Sequence, residues 1–241
     1  MKVTAPALSE STRSTRRRAA VVSALAATSF AVLTILVAAQ APALVRADFA
    51  VHNRLRELSV AHPGWLSTTS VLTHIGDGVT LFIIDVLAIG VCLWWRRPRA
   101  ALLIAVTCVS AWLIDHVVSP IVGRPRPADR LWHVDGSAFP SGHATNSAAI
   151  TLSVLVISWP LLRGLRRAAM AVAVLVLTCT VGVTRLVGGV HWSTDVMGAW
   201  LLSLMCVAAA AAVWPPQPPR SWSGSAPLGA QPLQDPGKGT G

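Results

Sequence analysis

The stretch AAVVSALAATSFAVLTILVAAQAPALV, residues 19–45, follows a cluster of arginines and contains no charged residue. About 20 apolar residues are enough to cross the roughly 30 Å hydrocarbon core of a bilayer, so this stretch predicts a first transmembrane helix. Its basic start and the small residues at 39–41 are also typical of a cleavable signal peptide, and this alternative stays open. Under both interpretations, the residues that follow are expected on the outer side of the membrane.

The rest of the chain is also rich in apolar residues. Of its 241 residues, 53% are hydrophobic and only 12% are charged, a balance that argues against a water-soluble domain. Residues 46–66 alternate charged and apolar positions and predict a short amphipathic helix at the outer interface. Further apolar runs predict five more spans, at about residues 71–95, 100–118, 144–162, 168–183 and 192–214.

These runs predict an all-α fold, a six-helix integral membrane bundle over residues 19–213. A basic cytoplasmic tail is expected at residues 1–18. The composition becomes rich in Pro and Gly over residues 214–241, which predicts a disordered tail without a packed core. The four cysteines lie inside apolar runs without metal-ligand spacing and are interpreted as core residues.

The positive charges follow the predicted topology. The net charge is +10, and with both chain ends inside, 13 of the 20 Lys and Arg residues fall on the cytoplasmic side. The positive-inside rule therefore predicts a multi-pass protein of the cell membrane, with residues 119–143 and 184–192 on the extracytoplasmic face. No basic stretch is interleaved with aromatic residues, so a nucleic-acid partner is not expected.

Polar residues gather at this predicted outer face. One group is GRPRP at residues 123–127, a second is PSGH at 140–143, and a third contains Arg185, His191 and Asp195. A guanidinium matches the oxygens of a phosphate, and free backbone N–H groups at a helix start attract anions. The three groups together predict a phosphate site.

Two histidines could supply the chemistry at such a site. His191 and Asp195 are four residues apart, so they share a face if the last helix begins near residue 191, and the carboxylate can orient the imidazole. His143 could donate a proton to a leaving group while His191 attacks phosphorus. The sequence has no cluster with metal-ligand spacing, so neither a metal nor another cofactor is expected.

At these residues the chain resembles the type 2 phosphatidic acid phosphatases (PAP2), a superfamily that shares its site with the vanadium haloperoxidases. The family pattern K-x6-R-P, P-S-G-H and S-R-x5-H-x3-D corresponds here to SPIVGRPRP at 119–127, PSGH at 140–143 and TRLVGGVHWSTD at 184–195. The resemblance implies a helical bundle of the PAP2/chloroperoxidase type. It also implies that His143 is the general acid, that His191 becomes a phosphohistidine assisted by Asp195, and that phosphate is bound by Arg126, Ser141, Gly142 and Arg185.

The sequence departs from the family pattern at Ser119, where the first motif has a lysine that contacts phosphate. Losing one charge-assisted hydrogen bond is expected to cost about 1.5–3 kcal/mol of phosphate binding. Arg124 is a possible replacement and is therefore a candidate phosphate-binding residue. Thr184, which replaces a serine, keeps the hydroxyl.

The predicted function is a metal-independent membrane phosphatase. Its expected substrate is a phosphomonoester or pyrophosphate on a phosphatidate-like lipid, and its expected partners are this substrate and the surrounding membrane lipids. One alternative is a polyprenyl phosphate or diphosphate phosphatase of cell-envelope synthesis. A second, motivated by Ser119, is a catalytically weakened lipid-binding or scramblase-like protein.

Overall fold

The computed structural model of the protein describes residues 10–216, and over these residues it consists of helices and loops without a β-strand. Two short 3-10 turns, Thr73–Gly76 and Trp159–Leu161, interrupt the helical pattern. The α-helices are α1 (Glu10–Ala38), α2 (Pro42–Ala61), α3 (Pro63–Leu72), α4 (Gly78–Trp94), α5 (Pro98–Val122), α6 (Gly142–Ser158), α7 (Leu165–Val187) and α8 (Ser193–Val213).

Five segments of the described chain are long and apolar enough to cross a membrane, and they correspond to α1, α5, α6, α7 and α8. A sixth exists if Pro63–Gly76 and Gly78–Trp94, which meet at a bend of 44°, are counted as one broken span. Large apolar side chains such as Val79, Ile121 and Leu165 are exposed on the outside of the bundle, as expected for contact with lipid. The predicted all-α membrane bundle is confirmed.

The boundaries of several helices differ from those expected. The second predicted span, residues 71–95, is not continuous, because the helix breaks around Gly76 and restarts at Gly78. Helix α5 runs through Pro120 and ends only at Gly123, which adopts a left-handed conformation with φ of 58°. Helix α1 begins at Glu10, inside the predicted basic tail. Residues 1–9 and 217–241, which include most of the two predicted tails, lie outside the described residues.

Helix α6 lies at the centre of the bundle, in contact with α4, α5, α7 and α8, while α1 packs chiefly on α8. Small residues permit the close approach of these elements. At Gly198 of α8, for example, a Cβ atom would lie 2.5 Å from the Cε2 atom of the buried Phe139. This packing brings the ends of α5, α6, α7 and α8 together beside the loop at residues 123–141.

Helix α2 corresponds to the amphipathic segment that the sequence predicts, but part of its polar face turns towards the protein. Asp48, His52 and Ser59 are buried, with Asp48 only 1% exposed. Ser59 donates a hydrogen bond to its own helix and approaches the carbonyl oxygen of Val187 at 3.3 Å. The helix therefore packs against the C-terminal end of α7 and the N-terminal end of α8.

Candidate active site

His191 lies in the short loop between α7 and α8 and is 3% exposed. Its Nδ1 atom is 2.8 Å from the carbonyl oxygen of Ala138 and 3.5 Å from Oδ2 of Asp195. Because a carbonyl oxygen only accepts hydrogen bonds, Nδ1 carries the hydrogen and the lone pair is on Nε2. Nε2 accepts a hydrogen bond of 2.9 Å from Nη1 of Arg126, so the reactive nitrogen faces a guanidinium.

The surroundings of His191 keep its imidazole neutral. Burial lowers the pKa of His191, and Arg126 and Arg185 lower it further, whereas Asp195 only partly opposes this shift. A neutral imidazole with its lone pair on Nε2 is the form that can attack an electrophile. The predicted role of His191 as a nucleophile requires this form, and the role itself stays a prediction.

Asp195 is the third residue of α8 and has further partners besides His191. Its Oδ2 accepts a hydrogen bond from the backbone N–H of Trp192, which caps the start of the helix, and its Oδ1 is 2.5 Å from Nη1 of Arg124. The contact that orients His191 most closely is therefore the carbonyl of Ala138. A backbone carbonyl leaves no mark in a sequence pattern, which is why the motif could not indicate it.

Arg124 is held by protein groups. Its guanidinium donates to Asp195 and Thr194 through Nη1 and to Asp48 through Nη2, at 2.5–2.6 Å. It also lies over the ring of Trp192, with 5.7 Å between the guanidinium carbon and the ring centroid. These contacts direct Arg124 towards two carboxylates, and a phosphate contact at this residue stays a prediction.

Asp48, which the sequence places in an interfacial helix, is part of this network. Its carboxylate accepts hydrogen bonds from the hydroxyl of Ser193, from both the backbone and the hydroxyl of Thr194, and from Arg124. Burial alone would raise the pKa of Asp48, but these hydrogen bonds outweigh it and hold the pKa below its usual range. Asp48 is therefore ionised and anchors the start of α8.

Two of the predicted phosphate-binding residues, Arg126 and Arg185, lie close enough to His191 to act on its charge. Arg126 is fixed by the carbonyl oxygens of Gly136, Ser137 and Val190, at 2.8–3.1 Å. Arg185 donates from Nη1 to the hydroxyl of Thr73 at 2.8 Å.

Among the buried side-chain atoms that lack a hydrogen-bond partner in the described residues are Nε of Arg185 and Oγ of Ser141. Buried donors without a partner are costly in a folded protein. An anion that accepts hydrogen bonds from both would satisfy them. Gly142 begins α6 directly after Ser141, and free N–H groups at a helix start favour the same kind of ligand.

His143, the second residue of α6, is paired with a carboxylate that the motifs do not contain. Its Nε2 is 3.0 Å from Oδ1 of Asp77, and Oδ2 of Asp77 is 2.6 Å from Nδ1 of the exposed His74. Asp77 lies at the break between the turn Thr73–Gly76 and α4. The sequence does carry one signal here, because the Gly76-Asp77-Gly78 triplet interrupts an otherwise apolar run.

Ser119, the position of the missing lysine, lies half-buried near the end of α5. His116 lies one turn earlier on α5. Its exposed ring contacts the carbonyl oxygen of Trp112 and is directed away from the interior of the bundle. Within residues 10–216, no group of three or more His, Cys, Asp or Glu side chains is arranged to hold a metal ion.

Comparisons with known proteins agree with the motifs. The family model described as the PAP2 superfamily matches residues 99–218, a range that contains all three motif segments. The chain is 29% identical over 146 residues to "Phosphatidylglycerophosphatase B" of Bacillus subtilis (strain 168). The aligned region covers 58% of this chain and 71% of that protein.

Two crystal structures are similar in fold. A transmembrane PAP2-type phosphatidylglycerolphosphate phosphatase from Bacillus subtilis has a TM-score of 0.67 and 24% identity, covering 76% of this chain and 92% of that one. LpxE from Aquifex aeolicus has a TM-score of 0.56 and 16% identity, covering 68% and 94%. These comparisons, together with the three motif segments, confirm the predicted family: the chain belongs to the PAP2 superfamily.

Proposed function

We propose that the chain is a membrane phosphatase that hydrolyses a phosphate ester on a lipid through a phosphohistidine at His191. The observation that carries this proposal is the contact between Nε2 of His191 and Arg126, beside two buried donors that lack a partner, on Ser141 and Arg185. Membership of the PAP2 superfamily supports phosphatase chemistry. The names of the relatives support a phosphorylated glycerolipid as substrate.

The residues divide the reaction into two steps. Nε2 of His191 attacks phosphorus, the bond from phosphorus to the ester oxygen breaks, and His143 gives a proton to the departing oxygen, which leaves as an alcohol. Water then attacks the phosphohistidine and returns a proton to His143, which releases phosphate. Arg126 and Arg185 would balance the negative charge of the phosphoryl oxygens in both steps.

The leaving group separates the roles of the two histidines. With a lipid phosphate, His143→Ala and His191→Ala should each lose most of the turnover, because a positioned acid contributes ~10²–10⁴-fold. With nitrophenyl phosphate the leaving group needs no proton in the first step, so His143→Ala should recover much of its kcat/KM, which reports that step alone, while His191→Ala stays inactive. Rescue of His191→Ala instead of His143→Ala would show that the two roles are reversed.

A panel of lipid substrates tests the substrate class. Phosphatidate-like monoesters and polyprenyl phosphates and diphosphates should be compared in one detergent, with His191→Ala as the blank. We expect the glycerolipid monoesters to be hydrolysed fastest, in keeping with the names of the relatives. Faster hydrolysis of a polyprenyl diphosphate would favour the cell-envelope alternative, and no phosphate release from any substrate would favour a lipid-binding protein.

The protein is a membrane protein, and we place it in the cell membrane with its site on the extracytoplasmic face. The support is the excess of arginines in the cytoplasmic segments at 13–18, 96–99 and 163–167. A cysteine introduced by Asp129→Cys in the outer loop should react with a membrane-impermeant reagent in intact cells. Reaction only after permeabilisation would place the site on the cytoplasmic face.

A further inference from the structure

The turn Thr73–Gly76, which precedes α4, contacts the proposed general acid His143. Gly76 packs so closely on His143 that a Cβ atom at position 76 would lie 3.3 Å from Cδ2 of the His143 ring. The same turn supplies Thr73, whose hydroxyl accepts a hydrogen bond from Arg185. A segment that the motifs do not include therefore contacts two residues of the site.

Asp77, the residue that follows this turn, is the carboxylate partner of His143. Asp77 occupies the N-cap position of α4, where an aspartate usually accepts a hydrogen bond from the first turn of its own helix. Its side chain makes no such bond. Its two oxygens contact Nε2 of His143 at 3.0 Å and Nδ1 of His74 at 2.6 Å instead.

This geometry determines which nitrogen of His143 can act. A carboxylate only accepts hydrogen bonds, so Nε2 of His143 carries a hydrogen that is donated to Asp77. Nδ1 is then the nitrogen that can exchange a proton with the substrate. Burial and the charges of Arg185 and His191 disfavour the imidazolium that a general acid must form, and the negative charge of Asp77 opposes them.

We propose that Asp77 is the positioning residue of the general acid, and that His74 is its outer partner. This inference rests on the proposed function and assigns to it a residue outside the three motifs. In the first step, Nδ1 of His143 gives its proton to the ester oxygen, which keeps the electron pair of the broken bond to phosphorus. In the second step, Nδ1 regains a proton from the attacking water, while the other hydrogen stays bonded to Nε2 and is donated to Asp77 throughout.

The test compares two leaving groups in Asp77→Asn. We expect kcat/KM, which reports only the first step, to fall at least ~10-fold for a lipid phosphate, up to the ~10²–10⁴-fold that a positioned acid contributes, and to change little for nitrophenyl phosphate. Asp77→Ser is the second variant, because serine can cap α4 but carries no carboxylate, and it should show the same difference. His74→Gln should cause a smaller loss on the lipid substrate, because its side chain is 70% exposed.

The matched control is Asp135→Asn, which makes the same substitution at a carboxylate that is 94% exposed and 3.6 Å from His133. It should leave both activities unchanged. Equal losses on both substrates in the two Asp77 variants, or no loss on either, would overturn the inference, because a misplaced acid affects only the ester that needs a proton. If the wild type hydrolysed neither ester, the proposed function would fail, and this inference with it.

Discussion

Restoring a lysine at position 119 should increase the activity of the enzyme. Ser119 lies one turn after Asp115 on α5, so the two side chains share a face of the helix. Asp115 is 7% exposed, and its Oδ2 atom lies 3.5 Å from the place that a Cβ atom would take at Gly142. This face of α5 therefore borders the start of α6, where the phosphate is proposed to bind.

The expected gain follows from one additional charge-assisted hydrogen bond. An ammonium group on a phosphoryl oxygen is worth about 1.5–3 kcal/mol. Since about 1.4 kcal/mol corresponds to a factor of ten, Ser119→Lys should raise kcat/KM by roughly 10- to 150-fold. The buried carboxylate of Asp115 competes for the same ammonium, so we expect a value near the lower end.

The assay is phosphate release from a lipid phosphate by purified protein in detergent, with Ser119→Met as the control. Methionine has a similar length but no charge, so it isolates the contribution of the ammonium. A gain in Ser119→Lys that Ser119→Met lacks would support the proposed position of the phosphate. Equal rates in the two variants, or a loss specific to lysine, would refute the reasoning, because the added charge would then not reach the substrate.

Three further results are expected. EDTA should leave hydrolysis unchanged, because arginines are proposed to hold the phosphoryl oxygens, and a loss that magnesium restores would contradict this scheme. Burial lowers the pKa of His191, so the neutral imidazole should persist in mild acid. We therefore expect kcat/KM for nitrophenyl phosphate, corrected for titration of the substrate, to begin to fall only below pH ~6.5. A fall that begins at higher pH would argue against a neutral His191 as the nucleophile. Asp48→Asn removes one of the two carboxylates that contact Arg124 and should lower the free energy of unfolding in detergent by about 3–5 kcal/mol. As the control, Glu57→Gln in the exposed pair with Arg54 should change that free energy by less than about 1 kcal/mol.

The sequence was sufficient to predict the membrane bundle because the spans carry a local signal, a long apolar run, and several of them have arginines at one end. It also predicted a group of residues that the structure brings together, as the contact between Arg126 and His191 illustrates. These residues come from distant segments, and only the predicted topology and the family resemblance placed them on one face. Their chemical roles stay predictions until the variants are measured.

The sequence alone could not predict the partners of these residues, and the reason differs from one partner to the next. Asp48 lies in a segment of mixed polarity, and only tertiary packing turns its carboxylate inward towards Arg124. That contact also directs Arg124 towards carboxylates, and its replacement of the missing lysine stays a prediction. Ala138 acts through its backbone, which no side-chain pattern reports.

The break in the second predicted span connects the fold to the site. Non-helical backbone at membrane depth is tolerated only where protein or water satisfies its polar groups. In the turn Thr73–Gly76, Thr73 and Gly76 are buried against the protein, and a Cβ atom at Gly76 would lie 2.7 Å from Cγ1 of Val181, whereas His74 and Ile75 are exposed. A continuous helix through residues 71–95 would satisfy the backbone without this packing, but it would also withdraw Thr73 from Arg185 and Asp77 from His143. The break therefore places Thr73 beside Arg185, a proposed phosphate ligand, and Asp77 beside His143, the proposed acid.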